Sequence, residues 1–155
     1  MELTSQARRT QERLVPVLEG LAKAVPVGQP PGPVATQADL DDWRVVTGDA
    51  VGDFANPPSG GTGVNIARSG LAAAVRALDA AVDTYAAALT HPQAARGPLL
   101  ELAGRQRDIA VTTWSTAATQ LDVLNVGAGN GHVHVFLPAA PGQGALTADG
   151  APEGQ

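Results

Sequence analysis

The fold is decided by residues 65–90, which read NIARSGLAAAVRALDAAVDTYAAALT. Large apolar side chains recur along this stretch at alternating intervals of four and three residues, and no helix-breaking residue follows Gly70. An α-helix turns once in about 3.6 residues, so this spacing aligns the side chains in one stripe. The stretch therefore predicts a helix over 65–90 with an apolar stripe of Leu71, Val75, Leu78, Val82, Tyr85 and Leu89.

Alanine covers most of the remaining surface of this predicted helix. Only Arg76, Asp79 and Asp83 form a narrow charged line between the alanines. Because alanine lets neighbouring backbones approach closely, such a helix lies either at the centre of a bundle or at a subunit interface. The sequence leaves these two locations equally open. The candidate interface residues on this helix are Ala73, Ala77, Ala80 and Ala87.

A second long helix is predicted after a short connection. His91 and Pro92 end the first helix, and residues 98–121 carry a broader and less regular apolar stripe. Two long helices joined by a short connection lie antiparallel, so the sequence predicts a helical hairpin. The apolar positions of this stripe are Leu99, Leu102, Ile109, Ala110, Thr113, Trp114, Ala117 and Leu121.

Two further helical patterns precede the hairpin. The apolar spacing over 3–25 predicts a helix that its one interior proline kinks or divides, because proline removes a backbone hydrogen bond. The Pro- and Gly-rich residues 26–33 predict an extended spacer. Thr36 followed by Asp39 is the pattern of a helix N-terminus, and it predicts a helix over 37–51.

The sequence pattern changes after the hairpin. Residues 132–137, which read HVHVFL, alternate between two faces and predict a β-strand. The Gly-rich residues 127–131 contain Asn-Gly, which is a strong signal for a β-hairpin. Residues 122–126 are either the partner strand of that hairpin or the last turn of the preceding helix. The sequence supports both alternatives equally.

These patterns together predict a mainly α fold. It is a helical bundle built on a long antiparallel helical hairpin, with a short C-terminal β-strand or hairpin and an extended tail. The chain of 155 residues suits one core, so we expect a single helical domain over 1–137. The Ala-, Pro- and Gly-rich residues 138–155 form the tail, in which Leu146 is the only large apolar side chain.

Composition excludes several classes of function. The chain has no cysteine, which excludes disulfides, thiolate catalysis and zinc sites with cysteine ligands. Fifteen acidic against ten basic residues give a net charge of -5, which argues against nucleic acid as the main partner. No stretch approaches the roughly 20 apolar residues of a membrane span. We expect no membrane partner, and a cytoplasmic location or a virion if a phage encodes the protein.

Few residues carry a chemical signal. His132 and His134 share one face of the predicted strand, a spacing that metal sites use, but no third ligand follows at a recognised distance. The Gly-rich residues 60–63 lack the lysine and the preceding strand of a phosphate-binding loop. No serine lies in the sequence context of a catalytic nucleophile. We therefore predict no catalytic residue, no metal and no cofactor, and we do not expect an enzyme.

The C-terminal end points to contacts with other proteins. Residues 138–155 offer almost no apolar area that offsets the entropy cost of ordering, so a partner has to hold them in place. The candidate contact residues here are His132, His134, Phe136 and Leu146. The sequence thus favours a non-enzymatic structural or assembly subunit of a multi-copy complex, such as a phage capsid, connector or tail component whose C-terminal arm contacts its neighbours. The alternative is a helical adaptor or regulatory module that binds a partner helix.

Overall fold

Four α-helices form the part of the chain that the computed structural model describes, which is residues 2–138. They are α1 (Glu2–Ala24), α2 (Gln37–Asp53), α3 (Thr62–Leu89) and α4 (Gly97–Gly127). The predicted mainly helical bundle is confirmed, and each predicted helix is present. The predicted tail beyond residue 138, including Leu146, lies outside the described residues.

Helices α3 and α4 form the predicted hairpin, and the short 3-10 helix Gln93–Ala95 lies between them. Small residues allow the two backbones to approach closely. A Cβ atom on Gly70 would lie 2.8 Å from the Cβ atom of Ala117 in α4. Much of the alanine on α3 therefore packs inside the bundle. The side of α3 that carries Gly70 also carries the buried residues Ala67, Ala74, Ala81 and Ala88.

Helices α1 and α2 cover one side of this hairpin. α1 continues through Pro16 without dividing, and Pro16 lies on its exposed side. α2 begins at the predicted N-cap, where the Thr36 hydroxyl accepts a hydrogen bond from the Asp39 amide at 3.1 Å. The Thr47 hydroxyl then donates to the Asp79 carboxylate at 2.6 Å, which joins α2 to α3.

The predicted C-terminal β-strand is wrong, because residues 2–138 contain no β-strand. Residues 122–126 belong to α4, which decides between the two alternatives that the sequence left open. Residues 131–137, which we call the C-terminal segment, pack against the helices, and none of these seven residues belongs to a β-strand. Val133 and Val135 are buried, whereas His132 and His134 are exposed. One-sided burial therefore explains the alternating pattern without a partner strand.

Side chains of the helices take the place of a partner strand for the C-terminal segment. They hydrogen-bond backbone groups that would otherwise pair with another strand. The Asp122 carboxylate accepts from the Val133 amide at 2.6 Å. Donors from two helices reach backbone carbonyls of the segment: the Trp114 indole bonds Val135, and the Gln11 amide bonds Phe136.

Candidate protein interface

Buried polar groups fix one side of α4 against the rest of the bundle. The side-chain amide of Asn125 donates to the Thr4 hydroxyl at 2.9 Å. The Trp114 indole donates to the C-terminal segment, and the buried Arg107 guanidinium donates to the carbonyl of Val25. These contacts define the inner face of α4, which is turned towards α1 and the segments beside it.

The opposite side of α4 carries a row of solvent-accessible side chains. Val123 follows the buried Leu121 by two residues, so it lies about 160° round the helix from it. The exposed fraction is 37% for Leu102, 58% for Ile109, 59% for Val123 and 45% for Val126. We call this row the outer stripe, and it consists of Leu102, Arg105, Ile109, Thr112, Thr116, Thr119, Val123 and Val126.

The outer stripe has the period of a coiled coil. Its members alternate at intervals of three and four residues, so positions seven residues apart repeat. Arg105 is its only charged member, and the stripe covers about 36 Å of helix from position 102 to position 126. A surface with this period and length fits the face of another α-helix.

Three of the four alanines predicted as interface residues lie together on α3. Ala73 is exposed, and Ala77 and Ala80 are half-buried. Ile66 precedes Ala73 by seven residues and is 58% exposed. These four residues lie on one side of α3. Helical geometry places the core residues Leu71, Val75 and Leu78 on the opposite side of this helix.

The remaining predicted contact residues do not join this group. Ala87 is exposed and lines a cavity of about 570 Å³ between α3 and the start of α2. Phe136 is buried among the helices, so it packs inside the bundle. His132 and His134 are exposed at the end of the bundle, with their ring centroids 6.2 Å apart.

Asp122 explains the position of His132. Its carboxylate bonds the Nδ1 atom of His132 at 3.0 Å and the amide of Val133 at 2.6 Å. Burial raises the pKa of Asp122, but the Val133 amide and the two imidazoles lower it more, so this pKa lies below its usual value of 3.8. The arrangement ties the C-terminal segment to α4. Within residues 2–138, no three histidine or carboxylate side chains converge as a metal site would require.

A cleft of about 520 Å³ lies between the Pro-rich spacer and the start of α4. Arg107 lies in its wall, and its guanidinium bonds the Val25 carbonyl and the Asp108 carboxylate. The other two charged residues of the cleft, Glu101 and Arg105, pair with each other at 2.8 Å. The bond from Arg107 holds Val25, the residue before the spacer, against α4, and each charge of the cleft already has a partner.

The outer stripe was not predicted from the sequence. Apolar patterning groups Leu102 and Ile109 with Trp114 and Leu121, whereas the structure places the first two on the outer side of α4 and the others on the inner face. One sequence signal does identify the second stripe. Leu102, Ile109, Thr116 and Val123 follow one another at intervals of seven residues.

Comparison of the chain with protein-family models, with curated proteins and with solved structures finds no match. The geometry of the described residues is therefore the basis for a functional assignment. None of the helices in residues 2–138 is long and apolar enough to cross a membrane.

Proposed function

We propose that the protein is a non-enzymatic assembly subunit that binds an α-helical protein surface. The binding site is the outer surface, which we define as the outer stripe of α4 together with Ile66, Ala73, Ala77 and Ala80 of α3. The observation that carries this proposal is the exposure of Leu102, Ile109, Val123 and Val126 in one row with a coiled-coil period.

The free energy of hydration favours burial of this row. Each Å² of apolar surface that is removed from water contributes roughly 25 cal/mol, and four aliphatic side chains of the row are at least one-third exposed. Single exposed apolar side chains are normal on protein surfaces, but an aligned row is typical of a docking site. The threonines between the aliphatic residues keep the unbound surface soluble while they add β-branched packing area.

The helical adaptor is the alternative, and it would use the same surface. The two functions differ in the partner, which is another subunit of an assembly in the first case and a separate regulated protein in the second. A location in a phage virion depends on the tail beyond residue 138, so it stays a prediction.

Site-specific photo-crosslinking in the cells that encode the protein tests the proposal. A photoreactive residue at position 109 replaces an exposed member of the outer stripe, and one at position 45 replaces Val45, which is 61% exposed on α2. We expect position 109 to form a discrete product whose cross-linked peptide lies in a helix of one protein. Position 45 should not form it, and Val123→Glu should abolish it. Equal products from both positions, or none from position 109, would contradict the proposal.

A further inference from the structure

We infer that the occupant of the outer surface is a second copy of this chain, which packs with its α4 antiparallel to the first α4. The inference rests on the proposed function, because it names the partner of the same surface. A two-fold axis crosses the pair of helices between Thr112 and Thr116. This register places Leu102 opposite Val126 of the second copy, and Ile109 opposite Thr119 of the second copy.

Charge decides the relative direction of the two helices. A parallel pair would place the two Arg105 guanidinium groups against each other, and although each pairs with the exposed Glu101 carboxylate of its own helix, like charges at a packed interface are unfavourable. The antiparallel pair separates them by roughly 27 Å along the helix. Each Arg105 then approaches the last turns of the other α4, where the helix dipole favours a cation and the last turn has no basic residue of its own.

The negative charge of the protein does not oppose this pairing. The chain has a net charge of -5, but α2 alone carries five aspartates and one arginine. The bond from Thr47 to Asp79 places α2 on a different side of α3 from Ala73 and Ala80. Two copies that meet through the outer surface, whose one charged member is Arg105, therefore keep their acidic helices apart.

The area of the outer surface is close to what a stable dimer requires. The α4 part of the surface is about 36 Å long and the α3 part, from Ile66 to Ala80, is about 21 Å long, and each helix is roughly 10 Å wide. The area is then roughly 570 Å² in each copy, near the roughly 600 Å² per partner at the lower end of specific stable interfaces. A second hairpin of equal length covers the whole surface, whereas a single short helix would leave half of it exposed.

The absence of cysteine from the chain makes disulfide cross-linking a clean test. Thr116 faces Thr112 of the second copy in this register, and both are exposed, so Thr116→Cys mixed with an equal amount of Thr112→Cys should form a covalent dimer of twice 15.7 kDa under oxidation. Leu102→Cys alone should form no disulfide-linked dimer, because its two copies are roughly 36 Å apart. An equal mixture of Leu102→Cys and Val126→Cys should cross-link. Val45→Cys is the matched control on α2 and should not.

Each other outcome overturns part of the inference. Self-cross-linking of Leu102→Cys would mean that the helices are parallel. Failure of the mixture of Thr116→Cys and Thr112→Cys to cross-link, with a monomeric mass for the unmodified protein, would exclude a second copy as the occupant. A helix of a different protein captured at position 109 would then still support the proposed function, so the two failures are distinguishable. Circular dichroism of every variant checks that the fold is unchanged.

Discussion

The side-chain amide of Asn125 donates a hydrogen bond of 2.9 Å to the Thr4 hydroxyl, although 121 positions separate the two residues in the chain. Both side chains are buried, and the same amide also donates to the Leu121 carbonyl at 2.8 Å. The pair joins the first turn of α1 to the last turns of α4. It lies on the inner face of α4, on the side of the helix away from the outer stripe.

Asn125→Ala should destabilise the protein by about 1–3 kcal/mol, because the Thr4 hydroxyl loses its partner in a buried place. Urea unfolding followed by circular dichroism measures this loss. Adding Thr4→Val removes the second polar group, so the double variant should lose less than the sum of the single changes. Val45→Ala, at an exposed position of α2 outside the outer surface, is the control. If Asn125→Ala lost no more stability than the control variant, the hydrogen bond between Asn125 and Thr4 would not hold α1 against α4.

Leu78→Asp or Val82→Asp should each destabilise the fold by several kcal/mol, because both side chains are buried at the centre of α3. The thermal unfolding midpoint measures the effect. Val45→Asp places the same charge on an exposed position of α2 and should leave the midpoint nearly unchanged. Unchanged midpoints for both core variants would show that the buried face of α3 is assigned wrongly.

Gly70 and Ala117 should be energetically coupled, since a Cβ atom on Gly70 would lie 2.8 Å from that of Ala117. We expect Gly70→Ala to push α3 and α4 apart, and Ala117→Gly in the same chain to make room for the added methyl group. A double-mutant cycle on the free energy of unfolding should give a coupling of about 0.5–3 kcal/mol. Strict additivity of the two changes would contradict the close approach of the helices.

Stability should fall at low pH in part through Asp122. Its pKa is lowered in the folded state, so the ionised carboxylate stabilises the fold fully above the ordinary value of 3.8. This contribution is lost as the pH falls through the lowered pKa. Urea unfolding between pH 2 and pH 7 should show a smaller loss of stability for Asp122→Asn than for the unmodified chain. Identical pH profiles would mean that Asp122 does not hold the C-terminal segment.

The helices were predictable from the sequence because each has a regular apolar period. The 4-3 spacing from Leu71 to Leu89 specifies a helix without any knowledge of its neighbours. Thr36 with Asp39 likewise specified the start of α2, because a capping box is made only by residues within one turn. These signals are local, so the sequence alone contains them.

The C-terminal segment shows where local signals fail. Its alternation of His132 and His134 with Val133 and Val135 is shared by a strand of a sheet and by a single segment that packs on helices. The structure distinguishes these possibilities through Trp114, which lies 21 positions from the carbonyl that it bonds. Such a contact depends on the tertiary fold, so the two-residue alternation of the sequence could not predict it.

The outer stripe was missed for a related reason. Trp114 on the inner face and Ile109 on the outer side are both apolar, so composition does not tell which of them is buried. That choice depends on which elements pack on α4, and the contacts of Trp114 with Val135 and of Asn125 with Thr4 lie on its inner face. The apolar pattern of α4 alone therefore assigned residues of its inner face and of the outer stripe to a single stripe.

The mass of the purified protein in solution, measured by light scattering over a range of concentrations, tests the central claim most directly. We predict twice 15.7 kDa at high concentration for the unmodified chain and for Val45→Glu, and 15.7 kDa for Ile109→Glu at every concentration. Ile109→Glu buries a charge in the antiparallel pair, whereas Val45→Glu lies on α2, outside it. A mass of 15.7 kDa for the unmodified chain at all concentrations, or equal dimerisation of Ile109→Glu, would contradict the account.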